Sequence, residues 1–444
     1  MYHILLCISL VALLFFGYPL FKKELATPAL LFIFGMCICA LNLLNFTSVW
    51  NVYLHQNTYI LVIGGCLSLM LGSLFYTPKH KYTLFGKNKS FKFAPLPTKT
   101  LKILFVFQLV INMLRIYFLN NFYGAGNLAA NLVAHTMALK YDGDVMTYPK
   151  GIGFFIGVAD FLGYFYAFLL PIYFYQNKQY KSQRLWLMIN FSICLVTSLL
   201  TSGRTQMLHL LITLGSFYLI TLWRSKKSLN TKRISIWVLA SFLFLSGFQQ
   251  LGFLIGREKT DETAWDVAGI YCGAQLQNLD DYINGNYPLN TRHFGETSFY
   301  VFYKEYAPVI GIPQTKLHPH DYHLFNERKG RGLGNVGTAF QEYYIDFGFI
   351  GTFILCFIIG WLMQFFHLKI SRGKDFDTGI VGVGTFLYAT IIASMFMSFF
   401  SESFFNKSLN HILNYRYWLA YIFLFYLLYR KLPWKYNTKN NDNE

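Results

Sequence analysis

Three arginines stand where an apolar segment meets polar sequence, and arginine is the side chain best suited to holding a phosphate there. Arg204 lies in the turn Thr201-Ser202-Gly203-Arg204-Thr205. Arg257 closes Gly252-Phe253-Leu254-Ile255-Gly256-Arg257, and Arg416 opens Asn414-Tyr415-Arg416-Tyr417-Trp418. A guanidinium is planar, always charged, and can meet two phosphate oxygens at once. Three such forks around one cavity would suit an anionic lipid head group, most naturally a diphosphate. The competing reading is an interfacial anchor, with the stem in the apolar layer and the charge reaching water. The aromatic neighbours of Arg416 fit that role best. Arg115 and Asp160 each lie inside an apolar segment, so an ion pair between them is a structural alternative to a role in chemistry.

The run His318-Pro319-His320-Asp321-Tyr322-His323 could hold a metal or supply a base. Its spacing matches no zinc motif, and Pro319 makes it a loop rather than one helical face. A neutral histidine taking the proton of a sugar hydroxyl is the stronger functional reading, with His323 favoured. His411, Glu402 and Glu342 are rival bases. Arg292, Arg328 and Arg331, together with Arg416 and Asn335, are candidates for contacts to a diphosphate or glycan. Gly332-Leu333-Gly334-Asn335-Val336-Gly337 fits GxGxxG. A dinucleotide site is rejected, because no strand is expected before it and no acidic ribose ligand follows in a strand. Asp280-Asp281 alone is not a metal motif. GxxxxGK[ST], HExxH and GxSxG are all missing, which removes support for an ATPase, a zinc protease or a serine hydrolase. Neither a cofactor nor a resident metal is expected.

These residues must be positioned by membrane helices. The chain has 444 residues, of which 54% are hydrophobic and 13% charged. A soluble protein is about 25% charged. That deficit excludes a soluble globule and a disordered chain. Apolar runs of about 20 residues exclude a small disulfide-stapled domain. Spans are expected at roughly 3–21, 27–46, 58–76, 101–120, 152–176, 185–202, 205–223, 234–256, 347–368, 379–398 and 414–430. The fold class is therefore an all-α polytopic membrane helix bundle of about eleven helices. Residues 1–256 carry spans one to eight, 257–346 form an extracytoplasmic domain of short helices, and 347–444 carry the last three spans and a tail.

Orientation follows from lysine and arginine. Alternate short loops and the C-terminal tail hold twenty-four of them, against four in the remaining short loops. That places the N-terminus outside and the C-terminus in the cytoplasm. The first apolar run precedes Lys22 and Lys23, the reverse of a cleavable signal peptide, so it reads as a retained span. The net charge of +17 is spread over loop clusters, which argues against a nucleic-acid partner. Six of seven cysteines lie in apolar stretches and read as small hydrophobic residues, with Cys272 in a loop. The first outer loop, 47–57, holds no carboxylate, so a sugar transferase of this form would hold its diphosphate by arginines rather than by a metal.

The turn Ser202-Gly203-Arg204-Thr205-Gln206-Met207-Leu208 resembles that of bacterial oligosaccharide repeat-unit polymerases, the Wzy-type polymerases of O-antigen and capsule. Gly334-Asn335-Val336-Gly337-Thr338-Ala339-Phe340, then Tyr343-Tyr344-Ile345-Asp346-Phe347-Gly348-Phe349-Ile350-Gly351, resembles the run from their long outer loop into the next span. The resemblance covers roughly residues 200–430. It implies a glycosyltransferase of the bacterial inner membrane. Both substrates would be glycans on undecaprenyl diphosphate, and the enzyme would work in the bilayer beside a flippase and a chain-length regulator. Arg204, Arg257 and His323 would be its catalytic residues. The related O-antigen ligases carry a histidine close to the asparagine of this run, whereas here Gly334 and Val336 flank Asn335. That departure disfavours a ligase. A flippase for lipid-linked oligosaccharide is the non-catalytic alternative. Asp346 and Gly348 are expected to shape the path into the span rather than do chemistry.

Overall fold

Backbone amides in hydrocarbon must be satisfied within their own segment, so long apolar runs become helices. A computed structural model describes residues 1–76, 93–124, 126–140, 146–175, 179–200, 204–226, 264–285, 293–306, 309, 311–312 and 326–429. The helices are α1 (Tyr2–Leu20), α2 (Pro28–Asn45), α3 (Thr47–Trp50), α4 (Gln56–Phe75), α5 (Thr98–Tyr123), α6 (Leu128–Lys140), α7 (Lys150–Tyr175), α8 (Lys181–Leu199) and α9 (Arg204–Arg224). After an undescribed stretch come α10 (Ala264–Cys272), α11 (Ala274–Asn284), α12 (Tyr300–Tyr306), and an antiparallel hairpin of β1 (Asn326–Arg328) and β2 (Arg331–Gly334). The chain continues as α13 (Ala339–Ser371), α14 (Asp375–Thr378), α15 (Val383–Met397), α16 (Phe404–Leu413) and α17 (Tyr415–Tyr429).

Ten of the eleven expected spans coincide with helices, and the eighth, 234–256, lies outside the described residues. Among the described residues, seven helices are long and apolar enough to cross a membrane: α1, α2, α4, α5, α7, α9 and α13. α15 and α17 have 15 residues each. At 1.5 Å per residue they reach about 22 Å, short of a hydrocarbon core of about 30 Å. α1 is the least enclosed of the seven and shows Ile4, Ile8, Phe15 and Phe16 outward, while α2 and α7 are the most enclosed.

Glycines set the closest helix crossings. On α4 a methyl at Gly72 would strike the carbonyl oxygen of Phe357, and one at Gly360 of α13 would strike that of Leu69. The Ser73 hydroxyl donates to Gly360 O across the same contact at 3.1 Å. Small residues that let backbones touch are how helices pack where lipid supplies no hydrophobic drive. α13 begins at Ala339, eight residues before the expected span, and kinks at Gly348, whose φ of 63° with ψ of −166° is open only to glycine.

Loops expected on the cytoplasmic side meet at one end of the bundle. Trp223 Nε1 donates to Lys22 O at 3.3 Å. Arg224 donates to Ser371 O at 2.6 Å, pairs with Asp377 at 2.8 Å, and lies 5.0 Å from the Phe376 ring. Glu24, from the α1–α2 turn, meets His367 Nε2 at 2.7 Å, and His367 Nδ1 meets the Tyr388 hydroxyl at 2.6 Å. The opposite end carries α10–α12, the hairpin and α16.

Three details depart from the sequence reading. α6 and α16 occupy stretches expected to be loops, and Cys272 ends a helix. The glycine run that was expected to follow no strand begins inside β2, with Gly334 at φ 77°. The strand belongs to a two-stranded hairpin, so the objection to a dinucleotide fold stands on topology.

Candidate functional site

α16 exists where a loop was expected because Glu402 caps it. The Glu402 carboxylate accepts the Phe405 N–H at 2.7 Å and the Asn406 N–H at 3.1 Å. Those are the orphan donors of a helix's first turn, and satisfying them fixes where the helix starts. Residues four apart then share a face, so Lys407 and His411 lie on one stripe of α16. On α9, Gln206 and His209 are three apart and likewise share a face. The two stripes are tied together where Lys407 Nζ donates to Gln206 Oε1 at 3.2 Å. Gln206 Nε2 in turn donates to the Tyr164 hydroxyl of α7 at 3.1 Å.

The histidines of these stripes are deeply buried. His209 is 0% exposed, and neither ring nitrogen has a hydrogen-bond partner among the described residues. His411 is 3% exposed, and its Nδ1 likewise has none. Aromatic rings close the surroundings: Tyr417 stands 4.4 Å and Phe161 6.0 Å from His411, centroid to centroid. Behind Phe161, Asp160 of α7 pairs with Arg115 of α5 at 2.6 Å, and Arg115 also donates to Ile156 O at 3.2 Å. The pair anticipated from sequence is therefore formed.

Lys407, His411 and Glu402 lie outside the spans. Burial pushes the Lys407 ammonium below its ordinary range, with the Asp160 carboxylate pulling the other way. Burial also holds His411 well below its ordinary value, and Lys407 and His209 add to that. At neutral pH His411 is an uncharged imidazole. Burial pushes Glu402 up to about 7, against the pull of the N–H groups it accepts. The arrangement offers an ammonium and two imidazoles as donors to an anion, or an imidazole nitrogen as a proton acceptor.

Arg204 opens α9, so its backbone lies within a turn and a half of His209; its side chain is outside the description. Arg416 is exposed in the first turn of α17, 5.9 Å from the Tyr415 ring, and next to Tyr417 in sequence. The structure thus places both arginine positions beside this cluster. The hairpin residues are held elsewhere. Arg328 pairs with Asp281 of α11 through Nε at 3.2 Å and through Nη2, and donates to Asn51 O at 3.1 Å. Arg331 lies opposite Arg328 in the hairpin register, with its side chain outside the description, and Asn335 is exposed just after β2. Asn278 of α11 clasps the turn that follows by donating to Val336 O at 2.9 Å. Asp280 accepts from the His55 N–H at 2.8 Å and from the Thr58 hydroxyl at 2.5 Å, so the Asp280-Asp281 pair is structural. Arg257, Arg292 and His318 to His323 lie outside the described residues.

Glu342 sits buried in the first turn of α13, and Tyr343 donates to Glu402 at 3.4 Å. Asp346 accepts the backbone N–H groups of Thr297 and Ser298 at 3.1 and 2.6 Å, consistent with the shaping role expected of it. Among the described residues, no three His, Cys, Asp or Glu converge as metal ligands, and all seven cysteines are free. Gln206, His209 and Lys407 were not singled out from sequence. The available signal was an ionisable residue, His209, in the second turn of an apolar span. No protein-family model, curated protein or solved structure matches this chain.

Proposed function

We propose that this chain is a membrane glycosyltransferase that polymerises oligosaccharide repeat units carried on a lipid diphosphate. Donor and acceptor are undecaprenyl-diphosphate-linked glycans, the products are O-antigen or capsular chains, and the reaction takes place at the outer face of the bacterial inner membrane. The observation that carries this reading is the bond from Lys407, on the helix face of His411, to Gln206 of α9, the helix that Arg204 opens and that carries His209, at the end of the bundle that the lysine and arginine count assigns to the outside.

A hydroxyl of the acceptor's distal sugar attacks the anomeric carbon of the donor glycan. The bond from that carbon to the diphosphate oxygen breaks, and the electron pair leaves with the lipid diphosphate. The hydroxyl proton passes to a base, His323 or the neutral His411. Cationic donors stabilise the leaving diphosphate, and two lipid-held substrates aligned on one surface gain the advantage of proximity. No metal enters this scheme. The N-terminus lies outside and the C-terminus inside.

Deletion of the gene, followed by electrophoresis of surface glycan, tests the reading. A ladder collapsed to a single repeat is the expected result. Lipid-linked polymer that never reaches its final acceptor would instead identify a ligase, and units trapped on the inner leaflet a flippase. Within the polymerase reading, Arg204→Ala and Arg257→Ala each abolish polymer while the protein still inserts. Normal chain lengths from well-expressed variants of both would remove the arginines from the mechanism.

A further inference from the structure

Among the described residues, His55, His135 and His367 each have a bonded ring nitrogen, which makes the buried His209 and His411 informative. His367 has both ring nitrogens bonded, to Glu24 at 2.7 Å and to Tyr388 at 2.6 Å. His55 meets Asp280 at 2.8 Å, and His135 meets the Tyr123 hydroxyl at 2.9 Å. Buried polar atoms are paired as a rule, because leaving one without a partner is costly. His209 and His411 break that rule with three ring nitrogens between them.

Their surroundings say what kind of partner is missing. Lys407 shares a helix face with His411, and its bond to Gln206 brings that face to the one carrying His209. Three nitrogenous bases therefore gather at the seam of α9 and α16. The nearest acids are engaged elsewhere, Asp160 with Arg115 and Glu402 with the first turn of α16. Grouping basic side chains in a buried seam with no carboxylate among their bonded partners is unfavourable by itself. It becomes favourable with an anion that accepts several hydrogen bonds at once. Phe161 and Tyr417 set aromatic rings against His411, and an apolar surrounding strengthens each of those bonds.

We infer that His209, Lys407 and His411 form a seat for a phosphoric anhydride, the diphosphate of a lipid-linked glycan. A carboxylate offers two oxygens in one plane. A diphosphate fans several oxygens in three dimensions, as donors on two separate helices require. The outer phosphoryl group then lies toward the first turn of α9, where Arg204 begins the helix. The inference rests on the polymerase reading for the identity of the lipid, whereas binding of a diphosphate stands or falls without it.

The test uses the full chain in lipid nanodiscs and follows its thermal midpoint. Inorganic diphosphate is titrated in one arm, undecaprenyl diphosphate is built into the disc in a second, and sulfate serves as a control. The expected result is a saturable rise in midpoint with the lipid diphosphate. A rise with inorganic diphosphate as well shows that the seat also takes the free anion. Lys407→Met and His209→Gln weaken the response at least tenfold in ligand concentration, and Lys407→Arg retains it. Lys407→Met also melts higher than the parent without ligand, since it removes a half-buried cation. The proposal is overturned if neither diphosphate shifts the parent, if sulfate shifts it equally, or if both variants respond as the parent does. The glycan ladder reads the polymerase assignment separately, so failure of one is distinguishable from failure of the other.

Discussion

The Arg115–Asp160 pair can be broken from either side, and the structure sets unequal costs. Arg115 is 2% exposed and Asp160 32% exposed, side chain by side chain. Removing one partner of a buried ion pair costs about 3–5 kcal/mol, because the survivor is left charged and unsolvated. Asp160→Ala leaves the enclosed guanidinium with the Ile156 carbonyl, so it falls near the lower half of that range, about 3–4 kcal/mol. Arg115→Met leaves a carboxylate that is one-third exposed and drawn to Lys407. Solvent screening discounts that loss to about 1–2 kcal/mol. The double variant Arg115→Met, Asp160→Ala strands no charge and costs at most about 1 kcal/mol. The assay is a double-mutant cycle on unfolding midpoints in mixed micelles, where a coupling of about 2 kcal/mol or more is expected. Equal losses from the two single variants, or losses that simply add in the double, would refute this account.

Gly72→Ala and Gly360→Ala each force the α4–α13 crossing apart and destabilise by about 1–3 kcal/mol; a midpoint matching the parent's for both would contradict the backbone contact. Gly348→Ala puts a side chain at φ 63°, ψ −166°, and costs about 1–3 kcal/mol unless α13 straightens. Loss of protease protection in 293–299, the loop held by Asp346, would report that straightening. Glu402 holds its proton to about pH 7 in the folded state, so its contribution is full below the unfolded value near 4.5 and is lost as pH rises through 7. The change is worth about 3 kcal/mol. Glu402→Gln removes that part of the pH slope, and an unchanged slope would assign it to another group. His411 acts with the opposite sign, since its depressed value makes stability fall as pH drops below 6.5. His411→Gln should flatten that acid limb in the same titration.

Most helices were readable from the chain because hydrocarbon permits one backbone solution, and a run such as Tyr2–Leu20 has no Asp, Glu, Lys or Arg to interrupt it. The misplaced boundaries have physical causes. The span containing Phe347 was expected to start there because Glu342 and Asp346 lower the hydropathy just before it. The helix nonetheless begins at Ala339, since the Ala339 N–H is bonded to Ser398 O and Asp346 is held by Thr297 and Ser298. Tertiary partners satisfy polar groups that a hydropathy profile counts as breaks. The hairpin was unreadable for a related reason. Its three- and four-residue strands carry little pattern, and α11 supplies what they lack through Asn278, Asp281 and their bonds to Asn326 and Arg328.

The site divides along the same line. Arg204 and Arg416 were found because a charge at the edge of an apolar run shows in one dimension. His209 and Lys407 take their meaning from a register between two helices about 200 residues apart, set by one bond from Lys407 to Gln206. That bond depends on where α16 starts, which depends on the cap made by Glu402. A carboxylate singled out as a possible base thus has a second task, to aim the stripe that carries His411. The consequence can be separated by experiment. If Glu402 is the base, Glu402→Asp shortens the carboxylate and slows turnover while leaving diphosphate binding intact. If it aims the helix, Glu402→Asp misplaces Lys407 and weakens diphosphate binding in proportion to the loss of activity. The cap geometry, with both carboxylate oxygens already accepting N–H groups, predicts the second outcome.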